Sequence, residues 1–128
     1  MNRKFIVPFE TAKKLKDAGC DCVTNFYYRS DGNFEIGIEV NNNILQEGNI
    51  AAPAYCELLD WFDRNGIFIT TRLVGKVSSY TCTIRYFIDG HAYDIETMKY
   101  VNREDALEEA AKTAIRVLTV KEMKTKSK

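Results

Sequence analysis

Residues 49–69 read NIAAPAYCELLDWFDRNGIFI, and this stretch contains a helix start, a helix stop and the beginning of a strand. Pro53 suits the first turn of a helix, because the amide hydrogen that proline lacks has no intrahelical partner there. The apolar residues that follow at i, i+3, i+4 and i+7 predict one stripe facing a core: Tyr55, Leu58, Leu59 and Phe62. Gly66 ends the helix, and an apolar strand follows directly. The stretch is therefore interpreted as scaffold that leads the chain into a sheet.

Hairpin patterns lie on both sides of this helix. Asp31-Gly32 and Asp89-Gly90 are tight-turn dipeptides, and each stands between two runs of strand-forming residues. The predicted strands cover residues 24–30, 34–40, 67–74, 79–88 and 91–96, and two further helices cover residues 9–18 and 102–123. The order α-β-β-α-β-β-β-α predicts an α+β fold, an antiparallel sheet built from two hairpin units with helices packed on one face.

The length and charge of the chain restrict its class. A chain of 128 residues predicts a single domain, residues 1–120, followed by a basic tail at residues 121–128 that we expect to be frayed. Lys and Arg number 18, as do Asp and Glu, so the net charge is zero. Binding of nucleic acids or membranes normally needs a basic excess, and neither is expected. No targeting or membrane-spanning pattern is visible, which predicts a cytoplasmic protein with reduced thiols.

Cysteine and histidine give little support for a metal or for catalysis. Cys20 and Cys22 are close in sequence, but a structural zinc site needs a second ligand pair, and the chain offers none. No metal or cofactor is predicted. A cysteine-dependent enzyme using Cys82 and the single histidine, His91, stays open as a third hypothesis, because partners on neighbouring strands can meet in space.

The chain from Pro53 onward has the helix, three strands and helix of double-stranded-RNA-binding domains. Those domains place lysines at the start of the last helix to contact phosphates. The matching segment here, NREDALEEAAK at residues 102–112, is acidic instead. Because carboxylates repel the phosphate backbone, we do not expect binding to double-stranded nucleic acid.

Arginines and aromatic residues on the predicted strands suggest a site for a small anion. Arg72 and Arg85 fall on adjacent strands, and arginine binds phosphate in a two-pronged manner while aromatic faces stack bases. The full candidate set is Arg72, Arg85, Tyr27, Arg29, Tyr86 and His91. The alternative is an ordinary solvent-facing sheet surface with cross-strand pairs.

Three pieces of the sequence carry a resemblance to a known group. They are Ala52-Pro53-Ala54-Tyr55 before a helix with Trp61, the stop at Gly66, and residues 103–110 in the last helix. Over about the last 75 residues the chain resembles small uncharacterised proteins of phages and prophages of gut Bacteroidales. That group has no established activity, so the resemblance implies a biological context and no catalytic residues.

The leading hypothesis is a non-enzymatic accessory protein, of the phage or mobile-element type, that binds a host protein. A homo-oligomer is expected, because two hairpins leave edge strands that self-association can cover. Trp61 is the candidate for an interface anchor. The alternative functions are sequestration of a nucleotide-like anion and the cysteine-dependent enzyme.

Overall fold

The structure is a computed structural model that describes residues 4–75 and 79–126. The chain forms two compact units, Met1–Trp61 and Phe62–Lys128, and the boundary falls inside the second helix. The elements follow in this order: α1 (Phe9–Asp17), β1 (Thr24–Tyr28), β2 (Phe34–Val40), β3 (Ile50–Ala51), α2 (Tyr55–Arg64), β4 (Ile67–Val74), β5 (Ser79–Ile88), β6 (His91–Glu96) and α3 (Arg103–Lys126).

The first unit contains α1 and an antiparallel sheet with the strand order β2-β1-β3. The buried side of α1 consists of Thr11, Ala12 and Leu15, and this helix lies against β3. Gly19, with φ +85°, takes the left-handed conformation that stops the helix. In the turn between β1 and β2, the amide of Asn33 donates to Asp31 Oδ1 at 2.9 Å.

Helix α2 begins at Tyr55, and a side chain of its first turn caps the residue before it. The amide of Ala54 donates to Glu57 Oε1 at 2.8 Å, so a residue three positions into the helix satisfies the group that precedes it. The side chains of Tyr55, Leu58, Trp61 and Phe62 are buried. The predicted apolar stripe is therefore largely confirmed, with Trp61 as an additional buried member.

The second unit contains the antiparallel sheet β4-β5-β6 and the helix α3. Helix α3 lies on one face of this sheet, mainly over β5 and to a smaller extent over β4. Ala106, Ala110 and Ala114 are fully buried, and their small side chains allow the helix to lie close to the strands. Strand β6 is left uncovered, since every one of its six residues is exposed.

The predicted α+β class is confirmed, and the structure refines its details. A short strand, β3, follows the polar loop at residues 41–49, and the strands form two three-stranded sheets. Helix α3 extends to Lys126, so most of the segment predicted as a frayed tail is helical. The predicted turn between β4 and β5 includes residues 76–78, which lie outside the described residues. The chain was predicted to form a single domain. The division into two compact units does not test that prediction.

Candidate functional site

The outer face of the second sheet, opposite α3, carries the two arginines predicted to bind an anion. The Nε and Nη2 atoms of Arg85 donate to the two carboxylate oxygens of Asp94 at 2.7 and 2.9 Å. Arg72 on β4 donates through Nη2 to Glu96 Oε1, which lies across β5 and two residues along β6 from Asp94. Hydrogen bonding by Arg85 lowers the pKa of Asp94. Both guanidinium groups are thus already engaged with carboxylates of their own sheet.

The other members of the predicted anion site lie elsewhere. Tyr86 and His91 alternate with the outer-face residues along β5 and β6, so they belong to the face that carries α3. Tyr27 and Arg29 belong to the first unit, where Arg29 pairs with Glu35 at 3.6 Å. Of the predicted set, the structure places only Arg72 and Arg85 together on one surface of the second unit. Whether that surface binds an anion stays a prediction.

Trp61 and Cys82, singled out from the sequence, are both buried. Trp61 is 5% exposed, so its side chain lies inside the chain, and its role at an interface stays a prediction. Burial raises the pKa of the Cys82 thiol. Cys82 is six residues along β5 from Ile88, the residue paired with His91. Six residues of strand span about 20 Å, so the structure does not bring this cysteine and histidine together.

Cys22 and the polar loop at residues 41–49 make internal contacts. Cys20 and Cys22 are buried free thiols, and Cys22 Sγ lies 3.8 Å from the carbonyl oxygen of Glu57. Among residues 4–75 and 79–126, no three His, Cys, Asp or Glu side chains form a group that could hold a metal ion. Within the polar loop, Asn42 donates to the carbonyl of Cys20 and accepts from the amide of Ala51.

An apolar surface on the first sheet emerges only in the structure. Five aromatic rings form a continuous row, in which neighbouring ring centroids are 5.4 to 6.0 Å apart. In order along the row they are Phe9, Tyr28, Phe34, Phe26 and Phe5. Ile36, opposite Phe26 on β2, continues the same face. Edge-to-face and offset ring contacts of this kind add to the stability that burial itself provides.

One end of this row is open to solvent. Phe5 is 45% exposed, Ile36 66% and Ile38 86%. Phe5 is held in place because its carbonyl accepts a hydrogen bond from the amide of Tyr55 at 2.9 Å and because Ile6 bridges to Ala54. We call the surface formed by Phe5, Phe26, Phe34 and Ile36, together with the adjacent exposed Ile38 at the register shift of β2, the aromatic face. It combines a fixed backbone with clustered exposed apolar side chains, which is typical of protein-binding surfaces.

A groove on the second unit offers a smaller apolar surface. It has a volume of about 420 Å³ and lies beside α3, on the face of the sheet that carries this helix. Its lining residues are Tyr86, Ile95, Glu109, Thr113, Arg116, Val117 and Val120. Glu109 also accepts a hydrogen bond from the hydroxyl of Tyr100 at 2.5 Å, which ties the segment after β6 to the helix. The groove is open along β6.

The alternation of Phe34, Ile36, Ile38 and Val40 was the available sequence signal for the aromatic face. It predicts a half-buried strand, and it does not reveal whether the apolar side is covered.

No helix of the described residues is long and apolar enough to cross a membrane. Comparisons of the chain with protein-family models, with curated proteins and with solved structures found no match.

Proposed function

We propose that this chain is a non-enzymatic binding protein, an accessory protein of the phage or mobile-element type, that binds a cytoplasmic host protein through the aromatic face. The observation that carries the proposal is the exposure of Phe5, Ile36 and Ile38 beside a row of packed aromatic rings. The resemblance of the C-terminal part of the sequence to phage proteins supports the biological setting.

The composition of the aromatic face supports a protein partner. The centres of protein interfaces are enriched in aromatic residues and depleted in charged ones. Phe26 and Phe34 stack with centroids 5.7 Å apart, so the rings have little conformational freedom left to lose on binding. The partner that fits is an apolar patch or an apolar extended segment of a folded host protein.

Strand β2 supplies a second means of recognition. It is an edge of the sheet β2-β1-β3, and no other described strand pairs with its outer side. An extended segment of the partner can add to this edge, with main-chain hydrogen bonds giving affinity and Ile36 and Ile38 giving selectivity. Binding through this edge and binding over the aromatic face use the same residues of β2.

The experiment compares capture of host proteins by three forms of the chain. The test variant carries Ile36→Lys and Ile38→Lys, and the matched control carries Leu73→Lys and Val101→Lys, two exposed apolar residues of the second unit. Proteins captured from a Bacteroidales host lysate are quantified, and the leading candidate is purified and titrated against each form. We expect the purified partner to bind the wild type and control equally and to bind the test variant at least tenfold more weakly.

Two results would overturn the proposal. The first is that no purified host protein binds in a manner that depends on Ile36 and Ile38. The second is that the test variant and the control weaken binding equally, which would move the interface away from the aromatic face. Circular dichroism and urea unfolding of each form confirm that the substitutions, all at exposed positions, leave the fold intact.

A further inference from the structure

Strand β6 presents a free edge whose hydrogen-bonding groups can be assigned to individual residues. The turn Asp89-Gly90 has φ values of +52° and +81°, which identifies a two-residue type I′ hairpin. In such a hairpin the pair next to the turn, Ile88 and His91, exchanges both hydrogen bonds. The amide of Thr97 donates to the carbonyl of Cys82, which continues this pattern at odd-numbered positions.

It follows that alternate residues of β6 direct their amide and carbonyl groups away from β5. These residues are Ala92, Asp94 and Glu96. The described part of the chain contains no strand on that side, since the sheet order ends at β6. All six residues of the strand are exposed, and Tyr93 on the face shared with α3 is 45% exposed. The edge is a template for an additional strand.

The charges on β6 are already compensated within its own sheet. Asp94 pairs with Arg85, and Glu96 pairs with Arg72. A strand that adds to this edge therefore meets no unpaired carboxylate on the outer face. The chain as a whole has 18 basic and 18 acidic residues, so two copies do not repel each other through net charge. This charge balance fits a second copy of the same chain and gives no preference for a strongly charged peptide.

We propose that β6 pairs with β6 of a second copy in antiparallel orientation, which makes one six-stranded sheet around a twofold axis. This assembly goes beyond the proposed function, because it uses the second unit and none of the residues of the aromatic face. An isologous contact of this kind is the commonest symmetry of soluble homodimers.

Symmetry and charge together select the register. A twofold axis perpendicular to the sheet places side chains of the same face opposite each other, and only an axis at Tyr93 or Asp94 pairs five of the six residues of β6. With Asp94 on the axis, two carboxylates would stand directly opposite each other, which is destabilising. With Tyr93 on the axis, Ala92 stands opposite Asp94 of the second copy, and no like charges oppose each other. The assembly therefore has Tyr93 on its axis.

This register extends an arrangement that already exists in one copy. Tyr86 and Tyr93 stack with centroids 5.4 Å apart and an angle of 19° between the rings. Pairing of Tyr93 with Tyr93 of the second copy makes a row of four tyrosines across the new sheet. Both α3 helices lie on the same face of that sheet, so the two grooves lined by Ile95 and Val120 open toward each other. Strand β6 then has a neighbouring strand on each side, β5 of its own copy and β6 of the second copy.

The register is tested with a disulfide that forms only across the axis. In a Cys56→Ser background, which removes the exposed native thiol, Tyr93→Cys is compared with Asp94→Cys. The two Tyr93 positions form a non-hydrogen-bonded pair with Cα atoms about 4.5 Å apart, which lies within the range of a disulfide. The two Asp94 positions are diagonal neighbours, about 7–8 Å apart. We expect mild oxidation to cross-link the first variant rapidly and the second at least tenfold more slowly.

The contact itself is tested by sedimentation velocity and native mass spectrometry of the wild type and Ala92→Pro. Proline at position 92 removes an amide hydrogen that points away from β5, so the hairpin keeps its own hydrogen bonds. We expect a wild-type dimer and at least a tenfold higher dimer dissociation constant for Ala92→Pro. If that variant is unfolded by circular dichroism, Tyr93→Glu replaces it, with the exposed outer-face change Phe87→Glu as its control.

Four outcomes would overturn the proposal. Three of them are a monomeric wild type at 100 times the concentration used for cross-linking, a dimer of undiminished affinity in folded Ala92→Pro, and faster cross-linking of Asp94→Cys than of Tyr93→Cys. A dimer that is lost only in the Ile36→Lys and Ile38→Lys variant would place self-association on the aromatic face and would overturn both this proposal and the assignment of that face to a host protein.

Discussion

Arg85 on β5 and Asp94 on β6 form a two-pronged ion pair across neighbouring strands, with N–O distances of 2.7 and 2.9 Å. Both side chains remain about half exposed, so the pair contributes less to stability than its geometry suggests. It fixes the alignment of two side chains on the outer face. It also engages the guanidinium group of Arg85, which was predicted from the sequence as part of an anion site. Two predictions, on the titration of Asp94 and on nucleotide binding, follow from this relationship.

We expect Arg85→Gln to raise the pKa of Asp94 toward its ordinary value, because the hydrogen bonds of Arg85 are the main cause of the lowered pKa. A carboxyl group with a lowered pKa stabilises the fold above its ordinary pKa, and this contribution is lost as the pH falls through the folded-state pKa. The variant should therefore lose less stability on acidification. Carboxyl carbon NMR titration measures the pKa, and Lys13→Gln, which breaks an exposed pair in α1, is the control. An unchanged Asp94 titration in Arg85→Gln would contradict the prediction.

Nucleoside triphosphates should bind the wild type weakly, because Arg72 and Arg85 are already paired with carboxylates. Asp94→Asn with Glu96→Gln frees both guanidinium groups, and we expect ATP to bind this variant at least tenfold more tightly in calorimetric titrations at low salt. Asp60→Asn with Asp63→Asn makes the same charge change at exposed positions of α2. The opposite result would be tight binding by the wild type that disappears in Arg72→Ala with Arg85→Ala, and it would favour the anion-sequestering hypothesis.

Cys82 should be unreactive in the folded protein. Its side chain is fully buried, and burial raises the pKa of the thiol, while a contact at 3.5 Å with Thr71 Oγ1 acts in the opposite direction. We expect iodoacetamide at neutral pH to modify the exposed Cys56 first and Cys82 only on unfolding, as followed by peptide mass spectrometry. Because the thiol pKa is raised in the folded state, the protonated thiol contributes to stability at pH values below the ordinary thiol pKa. This contribution is lost as the pH rises through the folded-state pKa. Rapid modification of folded Cys82 would restore the cysteine-enzyme hypothesis.

Gly37→Ala should destabilise the first unit through a steric conflict. A Cβ atom at position 37 would lie 2.9 Å from Val40 Cγ1 and 3.3 Å from Tyr27 Cε1. We expect the free energy of unfolding to fall by about 1–2 kcal/mol. The cost of overpacking outweighs the stability that alanine adds by lowering the conformational entropy of the unfolded chain. Urea unfolding measures it, and a Val40→Ala background, which removes the closer atom, should reduce the loss. An equal loss in both backgrounds would show that the contact with Val40 is not its cause.

Much of the fold could be predicted because its signals are local. Helix α2 ends just before Gly66 as expected, although it begins at Tyr55 and not at Pro53, and the Asp89-Gly90 turn places β5 and β6 in the expected antiparallel hairpin. The binding surfaces were not predictable in the same way. Alternation along β2 predicted one apolar side, but the exposure of Ile36 and Ile38 depends on which elements cover that side. Trp61 was the candidate for an interface anchor, and its burial depends on packing that no local pattern encodes.

The sequence by itself determined the helices, the hairpins, the α+β class and the balance of charge, because caps, turns and hydrophobic periodicity act over a few residues. Only the tertiary structure decided which strands became edges, which arginines were neutralised and which apolar side chains stayed in solvent. Arg72 and Glu96 are 24 residues apart in the chain, and Phe5 and Phe26 are twenty-one apart, yet each pair is in contact. Those contacts depend on the folding of distant segments onto one another, and they decide where this protein can bind.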